Sequence, residues 1–247
     1  MSVARRAVRA AAAPIRGFVR RHSASIGSLV AVDTQEPMFA LTFDDGPAVG
    51  GTDVLLPVLA EYRARATFFV LLTAARRHPS LLAEVVAAGH EIGLHGIDHR
   101  ALTTLRNSDV RRRQRDGRAE LEDLAGAQIR WMRPPYGRQS LRTWRATRAA
   151  GMTTAMWGAS TWDWRDIDQH QRLAHCLPEL HRGVILLAHD GFAGPPDGVA
   201  AGPPPEVDRA DLIDRVLAGA GEKGLSAVSL GNLVGGGEAV LAASFRR

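Results

Sequence analysis

The stretch Thr42-Phe43-Asp44-Asp45-Gly46-Pro47 directly follows an apolar run, Met38-Phe39-Ala40-Leu41. A short apolar run that is closed by Gly-Pro predicts a buried strand ending in a turn. Two adjacent carboxylates at the end of a strand repel each other, and burying either one without a partner costs free energy. A metal ion or an arginine beside them would offset that cost, so we expect a functional site at this strand end.

Candidate partners for the two carboxylates follow later in the chain. His95 and His99 form an HxxxH pair, and Arg133 opens the sequence Arg133-Pro134-Pro135-Tyr136-Gly137. Asp163 stands between two tryptophans, and His189 follows another apolar run. Each of these residues lies at or just past the end of a predicted strand. Because the carboxyl ends of parallel strands meet at one edge of a sheet, we expect the side chains to converge there.

Short apolar runs alternate with helix-like stretches along the chain, which is the pattern of a parallel sheet with helices outside it. Strands are predicted over residues 38–43, 66–70, 91–95, 129–132, 153–157, 184–188 and 225–230. Helices are predicted over residues 53–63, 80–88, 109–124, 141–150, 167–181 and 208–220. The sequence therefore predicts an α/β fold of about seven parallel strands in a single domain. A Pro- and Gly-rich stretch, residues 191–205, predicts a long loop that borders the site.

The basic charge of the chain is concentrated at its N-terminus. The 247 residues carry a formal net charge of +5, but residues 1–32 hold six arginines and no acid. The remainder has 25 basic and 26 acidic residues, so its net charge is −1. A nearly neutral body argues against nucleic acid as a partner. The basic leader is a candidate for peripheral contact with an anionic membrane.

The chain is expected to consist of three parts. Residues 1–36 form a basic leader that is expected to be disordered, residues 37–234 form the folded domain, and residues 235–247 form a C-terminal tail. The apolar stretch at residues 10–13 is too short for the core of a signal peptide, and no window approaches the ~18 apolar residues of a membrane span. We therefore expect a cytoplasmic protein. The lone Cys176 excludes an intrachain disulfide.

One carboxylate and two imidazoles, from Asp45, His95 and His99, make a donor set that holds a divalent metal ion and leaves positions open for water or substrate. An HxxxH pair alone is more often two ordinary histidines, but the neighbouring Asp-Asp pair favours the metal interpretation. With Asp45 on the metal, Asp44 is the candidate base for an attacking water. Arg133 is the candidate that holds Asp44 ionised and oriented.

His189 is the candidate acid, and Asp163 is expected to pair with it and keep it protonated. The rigid Pro-Pro turn makes the backbone N–H of Tyr136 a candidate donor to a developing oxyanion. Trp164 and Leu187 are expected to form an apolar wall, whereas Trp157 is expected to pack in the core.

These motifs, in this order, resemble those of the NodB-homology polysaccharide deacetylases, carbohydrate esterase family 4. The resemblance extends from about residue 39 to residue 230. Its first motif, TFDDGP, is complete and highly specific, and the others match at residues 95–99, 133–137, 162–164 and 187–189. Four or five motifs in the same order leave little room for coincidence.

The resemblance implies a distorted (β/α) barrel, a divalent metal ion that is usually zinc, and an N-acylated amino sugar as substrate. The implied reaction hydrolyses an N-acetyl group and releases acetate and a free amine. The implied roles are metal ligands for Asp45, His95 and His99, base for Asp44, acid for His189, orientation for Arg133 and Asp163, and substrate contact for Tyr136, Trp164 and Leu187. Gly96 departs from the family, which usually has Ser or Thr there, and its missing hydroxyl is expected to loosen or widen the site.

Three other interpretations stay open at this stage. The same site fits a hydrolase of another linear amide, such as a formamide on a lipid-linked sugar. A non-catalytic sugar-binding relative would share the fold, although no candidate catalytic residue is missing here. One carboxylate and two imidazoles are also the ligands of non-haem iron oxygenases, but the Asp-Asp pair and the RPPYG turn have no role there.

Overall fold

The structure is a computed structural model, and it describes residues 27–200, 202, 204–243 and 245. The arginine-rich part of the predicted leader, residues 1–26, lies outside the described residues. Within the described part, no helix is both long enough and apolar enough to cross a membrane. The predicted cytoplasmic location and the predicted membrane contact of the leader stay predictions.

Every predicted strand and helix has a counterpart among the described elements. The strands are β1 (Ser28–Asp33), β2 (Met38–Asp44), β3 (Thr67–Leu71), β4 (Glu91–Gly96), β5 (Trp131–Met132), β6 (Thr153–Thr154), β7 (Ala159–Ser160), β8 (Ile185–His189), β9 (Ser226–Val228) and β10 (Glu238–Ala242). The helices are α1 (Thr52–Glu61), α2 (Leu72–Arg77), α3 (Pro79–Ala87), α4 (Asn107–Ala125), α5 (Leu141–Ala149), α6 (Gln169–Glu179), α7 (Arg209–Glu222) and α8 (Leu230–Gly235). Short 3₁₀ turns lie in connecting loops at Leu102–Thr104, Pro135–Gly137 and Pro195–Asp197.

One curled parallel sheet forms the frame of the molecule. Its strands follow the order β6-β5-β4-β3-β2-β8-β7, and β9 pairs with the first half of β2. All the ladders in this sheet are parallel, so their carboxyl ends share one edge. This half-barrel confirms the predicted α/β fold with about seven parallel strands.

The two faces of β2 show how the sheet separates the core from the site. Phe39, Leu41 and Phe43 belong to the main hydrophobic core, which they share with residues of the outer helices. Successive side chains of a strand alternate between faces, so Asp44 points into the half-barrel. In the parallel register Asp44 pairs with His189 of β8, which brings two predicted catalytic residues side by side.

The two-stranded ribbon formed by β1 and β10 was not predicted. It extends the folded domain beyond the predicted boundaries, residues 37–234. It pairs residues 28–33 of the predicted leader with residues 238–242 of the predicted tail, in antiparallel register. Leu29 and Val32 of β1 are buried in a second core cluster inside the half-barrel. Apolar burial therefore orders residues 28–33, and the prediction of a disordered leader is wrong for that segment.

The last predicted strand, at residues 225–230, is correct only in part. Its first half forms β9, and its second half turns into the short helix α8. Ser229 causes the change, because its side chain accepts a hydrogen bond from the N–H of Asn232 and caps the helix.

Candidate active site

A cavity of about 420 Å³ opens at the carboxyl edge of the sheet. Eight of the ten predicted site residues line it: Asp44, Asp45, His95, His99, Tyr136, Trp164, Leu187 and His189. The other two, Arg133 and Asp163, lie behind the cavity wall and contact Asp44 and His189. The strand ends therefore bring all the predicted residues together, as expected for a parallel sheet.

Asp45, His95 and His99 form a compact buried cluster. The Oδ1 atom of Asp45 lies 3.3 Å from Nε2 of His95 and 3.4 Å from Nε2 of His99. The three ligand atoms lie within 4.8 Å of one another, which suits coordination of one metal ion. Asp45 Oδ1 is buried and has no hydrogen-bond partner in the described part of the protein. An orphaned carboxylate oxygen that faces two imidazoles fits a cation.

The surroundings of the cluster prepare its side chains as ligands. His95 donates from Nδ1 to the carbonyl oxygen of Arg133 at 2.8 Å, which leaves Nε2 free to coordinate. Burial lowers the pKa of His99 to about 4, so its imidazole is neutral at pH 7. Burial alone would raise the pKa of Asp45, but the interactions with the neighbouring histidines outweigh it and hold that pKa well below its usual range.

Asp44 is held by a fully buried arginine. Arg133 donates from Nη1 to Asp44 Oδ1 at 2.8 Å and to Thr42 Oγ1 at 2.9 Å. Its guanidinium also lies 4.2 Å from the centre of the Phe69 ring. A Cβ at Gly93 would lie 2.7 Å from that ring, so the glycine leaves Phe69 room to support the arginine. Asp44 is thus oriented from behind, with its second oxygen available on the cavity side.

His189 and Asp163 form a second buried pair across the cavity. Asp163 accepts from the Nδ1 of His189 at 2.8 Å and from its backbone N–H at 2.6 Å. Burial lowers the pKa of His189, but the charge and hydrogen bond of Asp163 outweigh it and raise that pKa to about 9. The imidazole is therefore protonated at neutral pH. Its Nε2 is the ring nitrogen that does not contact Asp163.

The apolar wall of the cavity is larger than the sequence predicts. Trp164 meets His189 edge-on, with ring centres 5.4 Å apart, and Leu187 lines the same space. Phe192 and Val199 of the loop after β8 add to the wall, which confirms that this loop borders the site. Trp157 packs against the second core cluster, as expected, but it also lines the cavity, which was not expected. Trp157 reaches the cavity because β6 ends at Thr154, before the end of the predicted strand.

Asp190, which sequence reasoning missed, fixes the turn that carries Asp45. It is 1% exposed, and it accepts from the N–H of Gly46 at 3.0 Å and from Thr52 Oγ1 at 2.6 Å. A Cβ at Gly46 would overlap the Asp190 carboxyl, so the glycine is required for this contact. In the sequence, Asp190 stands out only as the residue after His189. Its contacts with Gly46 and Thr52, which are distant in sequence, are seen only in the fold.

Asp197 anchors the loop that covers the metal-type cluster. Its Oδ1 accepts from Thr73 Oγ1 at 2.6 Å and from Arg77 Nη2 at 2.9 Å, and its Oδ2 accepts from the N–H of Gly194. The anchored loop donates from the N–H of Ala193 to Asp45 Oδ2 at 3.3 Å. Asp197 also accepts from the N–H of His99 through its carbonyl oxygen. The residue thereby positions one backbone N–H against the Asp45 carboxylate and holds the backbone of His99.

Gly96 lies in a close contact rather than an open space. Its φ is +151°, and a Cβ there would lie 2.7 Å from the carbonyl oxygen of Asp98. The backbone between His95 and His99 therefore fills the space that a side chain would take. The expected widening of the site at this position is wrong, because the carbonyl of Asp98 closes it.

Comparisons with known proteins agree with the family that the motifs resemble. A family model described as polysaccharide deacetylase matches residues 31–155, about half of the chain. A chitooligosaccharide deacetylase from Sinorhizobium fredii is 36% identical over 168 residues, which cover 68% of this chain and 77% of the relative. A peptidoglycan-N-acetylglucosamine deacetylase from Bacillus cereus is 30% identical over 165 residues, which cover 65% of this chain and 76% of the relative. Among solved structures, the peptidoglycan deacetylase PdaC from Bacillus subtilis has a TM-score of 0.68 at 27% identity, with 83% of this chain and 93% of that chain covered.

The chain belongs to the polysaccharide deacetylase family, as its motifs predicted. Within that class it is a carbohydrate N-deacetylase, a hydrolase of amide carbon–nitrogen bonds. Because the chain belongs to this family, we no longer consider that its two histidines and one carboxylate form the iron site of an oxygenase.

The contact at Gly96 predicts the effect of restoring a side chain. We expect Gly96→Ser to lower the free energy of unfolding by about 1–3 kcal/mol, because the new Cβ requires a backbone shift against Asp98. Urea unfolding followed by tryptophan fluorescence measures this change. Gly221→Ser is the matched control, since a Cβ at Gly221 would meet no atom within 4 Å. Equal stability of the two variants would contradict the prediction.

The anchor at Asp197 makes a second prediction about stability. Asp197→Ala leaves Thr73, Arg77 and Gly194 without their acceptor, so we expect a loss of about 1–3 kcal/mol and faster hydrogen exchange at the Ala193 amide. Arg77→Ala removes only the partly exposed arginine of the ion pair and leaves Asp197 its donors Thr73 and Gly194, so it is expected to lose less than about 1 kcal/mol. Exchange measured by NMR at Ala193 distinguishes the two variants. An unchanged Ala193 exchange rate in Asp197→Ala would show that the loop does not need this anchor.

Proposed function

We propose that this protein is a metal-dependent deacetylase that removes the N-acetyl group from an N-acetylglucosamine unit of a glycan chain. One observation carries the proposal: three buried metal-type ligands lie in one cavity with an Arg-held carboxylate and an Asp-held histidine. The relatives named above act on chitooligosaccharides and on peptidoglycan N-acetylglucosamine, which supports the choice of sugar.

Asp45, His95 and His99 are the residues that would hold the metal ion, and we propose zinc because tetrahedral sites of nitrogen and oxygen donors favour it. When bound, the ion supplies Lewis-acid activation of the attacking water and of the acyl carbonyl. The Nε2 atoms of both histidines face Asp45 Oδ1, so the ligands converge without a change of rotamer.

Asp44 serves as the general base. Arg133 donates to its Oδ1 and places a positive charge beside the carboxylate, which is only 3% exposed. The proton of the attacking water passes to the carboxylate as the carbon–oxygen bond forms. A base held in one orientation by a buried guanidinium needs no reorganisation at that step.

His189 serves as the general acid. Asp163 holds its Nδ1 proton, so the proton on Nε2 is the one available to the leaving nitrogen. Cleavage of the carbon–nitrogen bond then releases acetate and the free amine of the sugar. An imidazolium with a pKa near 9 is charged at neutral pH and can protonate an amine as it leaves.

The remaining predicted residues hold the substrate. Trp164 and Leu187 lie on the His189 side of the cavity, where they would contain the methyl group of the acetamide. Tyr136 packs edge-on against His99 with ring centres 4.3 Å apart, and its φ of +60° sets the turn whose N–H we assign to the oxyanion. Phe192, which stacks near His189, offers a second apolar surface.

Two substitutions separate metal binding from proton transfer. We expect the wild type to bind about one zinc ion per chain and to release acetate from N-acetylglucosamine oligomers. Asp45→Ala is expected to lose both zinc and activity, whereas Asp44→Asn keeps zinc and loses about 10²–10⁴-fold in kcat. Metal analysis and an acetate assay measure the two effects. Asp116→Asn, at an exposed carboxylate paired with Arg115, is the control for a lost charge.

Full activity in Asp44→Asn would contradict the assignment of the base. Absence of zinc from the wild type, even after supply of the metal, would contradict the metal site.

The pairing of His189 with Asp163 predicts a shift in the pH profile. The charge of Asp163 raises the pKa of His189, so its removal in Asp163→Asn lowers that pKa. His189 donates only while it is protonated, so we expect the alkaline limb of kcat/KM to move to lower pH in this variant. Measurement from pH 6 to pH 10 at equal zinc content tests the shift. An alkaline limb that stays in place would mean that another group sets it.

A further inference from the structure

A second cleft, of about 560 Å³, lies between α4 (Asn107–Ala125) and α5 (Leu141–Ala149). It shares no lining residue with the catalytic cavity. Three arginines line it, Arg111, Arg142 and Arg145, around an apolar floor that includes Leu141 and Ala146. The catalytic mechanism uses none of these side chains.

The arginines of this cleft lack acidic partners. No carboxylate lines the cleft, and neither Arg111 nor Arg145 has a hydrogen bond or ion pair among the residues that the structure describes. Arg142 donates only to the carbonyl oxygen of Thr103, at 3.2 Å. The acid closest in sequence, Asp109, is paired with Arg112 at 2.9 Å. Other acids of α4 pair with arginines outside the cleft: Asp116, Glu120 and Glu122.

Three guanidinium groups that lack an acidic partner and lie in one concave site attract an anion. Their mutual repulsion falls when a negative group enters, and the planar donors of arginine match carboxylate and phosphate in bidentate geometry. The cluster does not follow from a generally basic surface, because residues 33–247 carry a net charge of −1. The arginine-rich leader has the same sign of charge and is not a suitable occupant.

The position of the cleft connects it with the glycan substrate. Helices α4 and α5 begin after β4 and β5, so their first turns lie at the sheet edge that carries the catalytic cavity. Leu141, 38% exposed, follows the cavity-lining residues Tyr136 and Gly137 by one short segment. Arg142 is tied to Thr103, in the turn shortly after His99. The loops that follow β4 and β5 therefore connect the two sites.

We propose that this cleft is a binding subsite for a carboxylate or phosphate group carried by the glycan on which the enzyme acts. The inference rests on the proposed function for its substrate, but the binding of an anion does not require turnover. Leu141 and Ala146 offer an apolar surface to the sugar that bears the charge, as amphipathic sugar faces require.

The first test measures binding directly. Inorganic phosphate and a carboxymethylated N-acetylglucosamine oligomer are titrated into the protein, and the side-chain Nε–Hε signals of its arginines are followed by NMR. We expect saturable shifts in the wild type and their loss in Arg111→Ala/Arg145→Ala, with no response to a neutral oligomer at this cleft. The control is Arg112→Ala/Arg115→Ala, which removes the same charge from arginines on α4 that are already paired. Both pairs are exposed, so all variants are expected to fold.

The second test measures turnover of neutral and carboxymethylated oligomers of equal length. Loss of the two cleft arginines is expected to raise KM about tenfold for the anionic oligomer, with KM for the neutral one and both kcat values unchanged. Equal behaviour of the cleft variant and the wild type in both tests would overturn the proposal. Phosphate shifts without a preference for the anionic oligomer would overturn the glycan assignment.

A third arm separates a glycan from a lipid as the source of the anion. Vesicles of phosphatidylglycerol are sedimented with the wild type and with both double variants. Arginine-dependent capture by vesicles, together with no selective binding of the anionic oligomer, would assign the cleft to a lipid headgroup and overturn the proposal. If no oligomer is deacetylated at all, the proposed function fails, and the binding titration alone decides the cleft.

Discussion

The buried ion pair between Arg133 and Asp44 is the interaction on which the site depends. A guanidinium with no exposed surface is stable only when its donors are satisfied. Arg133 meets this requirement by reaching Asp44 and Thr42 on β2 and the carbonyl oxygens of Ala155 and Met156 after β6. These bonds tie the centre of the sheet to one of its ends across the interior of the half-barrel. Loss of either partner would leave an uncompensated buried charge, so the fold and the orientation of Asp44 depend on the same contact.

The two neighbouring aspartates have different roles because their surroundings differ. Asp44 ends a strand and faces the arginine, whereas Asp45 has a φ of +79° and turns toward the histidines. The carboxylate of Asp190 fixes that turn through the N–H of Gly46, and the loop anchored by Asp197 reaches Asp45 from the other side. The backbone thus separates the two carboxylates and gives them different neighbours, a guanidinium for Asp44 and two imidazoles for Asp45. On the proposed function, the same separation places the general base and a metal ligand in one cavity.

The sequence predicts the parallel sheet and the convergence of the ten candidate residues at its edge, since both follow from local patterns. Each motif stands at the end of an apolar run, and parallel strands collect such ends at one edge. Features made by distant pairings were not predictable in this way. The β1–β10 ribbon joins residues about two hundred positions apart, and neither strand has a motif. Asp190 and Asp197 act through backbone groups of other segments, so only the folded chain shows what they hold. Gly96 was noticed as a departure, but the carbonyl that occupies its space is visible only in three dimensions.

The charges of the two clefts differ in a way that would orient a substrate. The catalytic cavity presents two carboxylates, Asp44 and Asp45, against one imidazolium, His189, so its lining carries a net negative charge until a cation is bound. The cleft between α4 and α5 presents three arginines and no acid. On the proposed function, a glycan with both acetamide and anionic groups binds most favourably when the neutral acetamide enters the cavity and the anion lies in the cleft. Electrostatic complementarity of this kind fixes register more than it adds affinity. The arginine cleft would then select which sugar along a polymer meets Asp44 and His189.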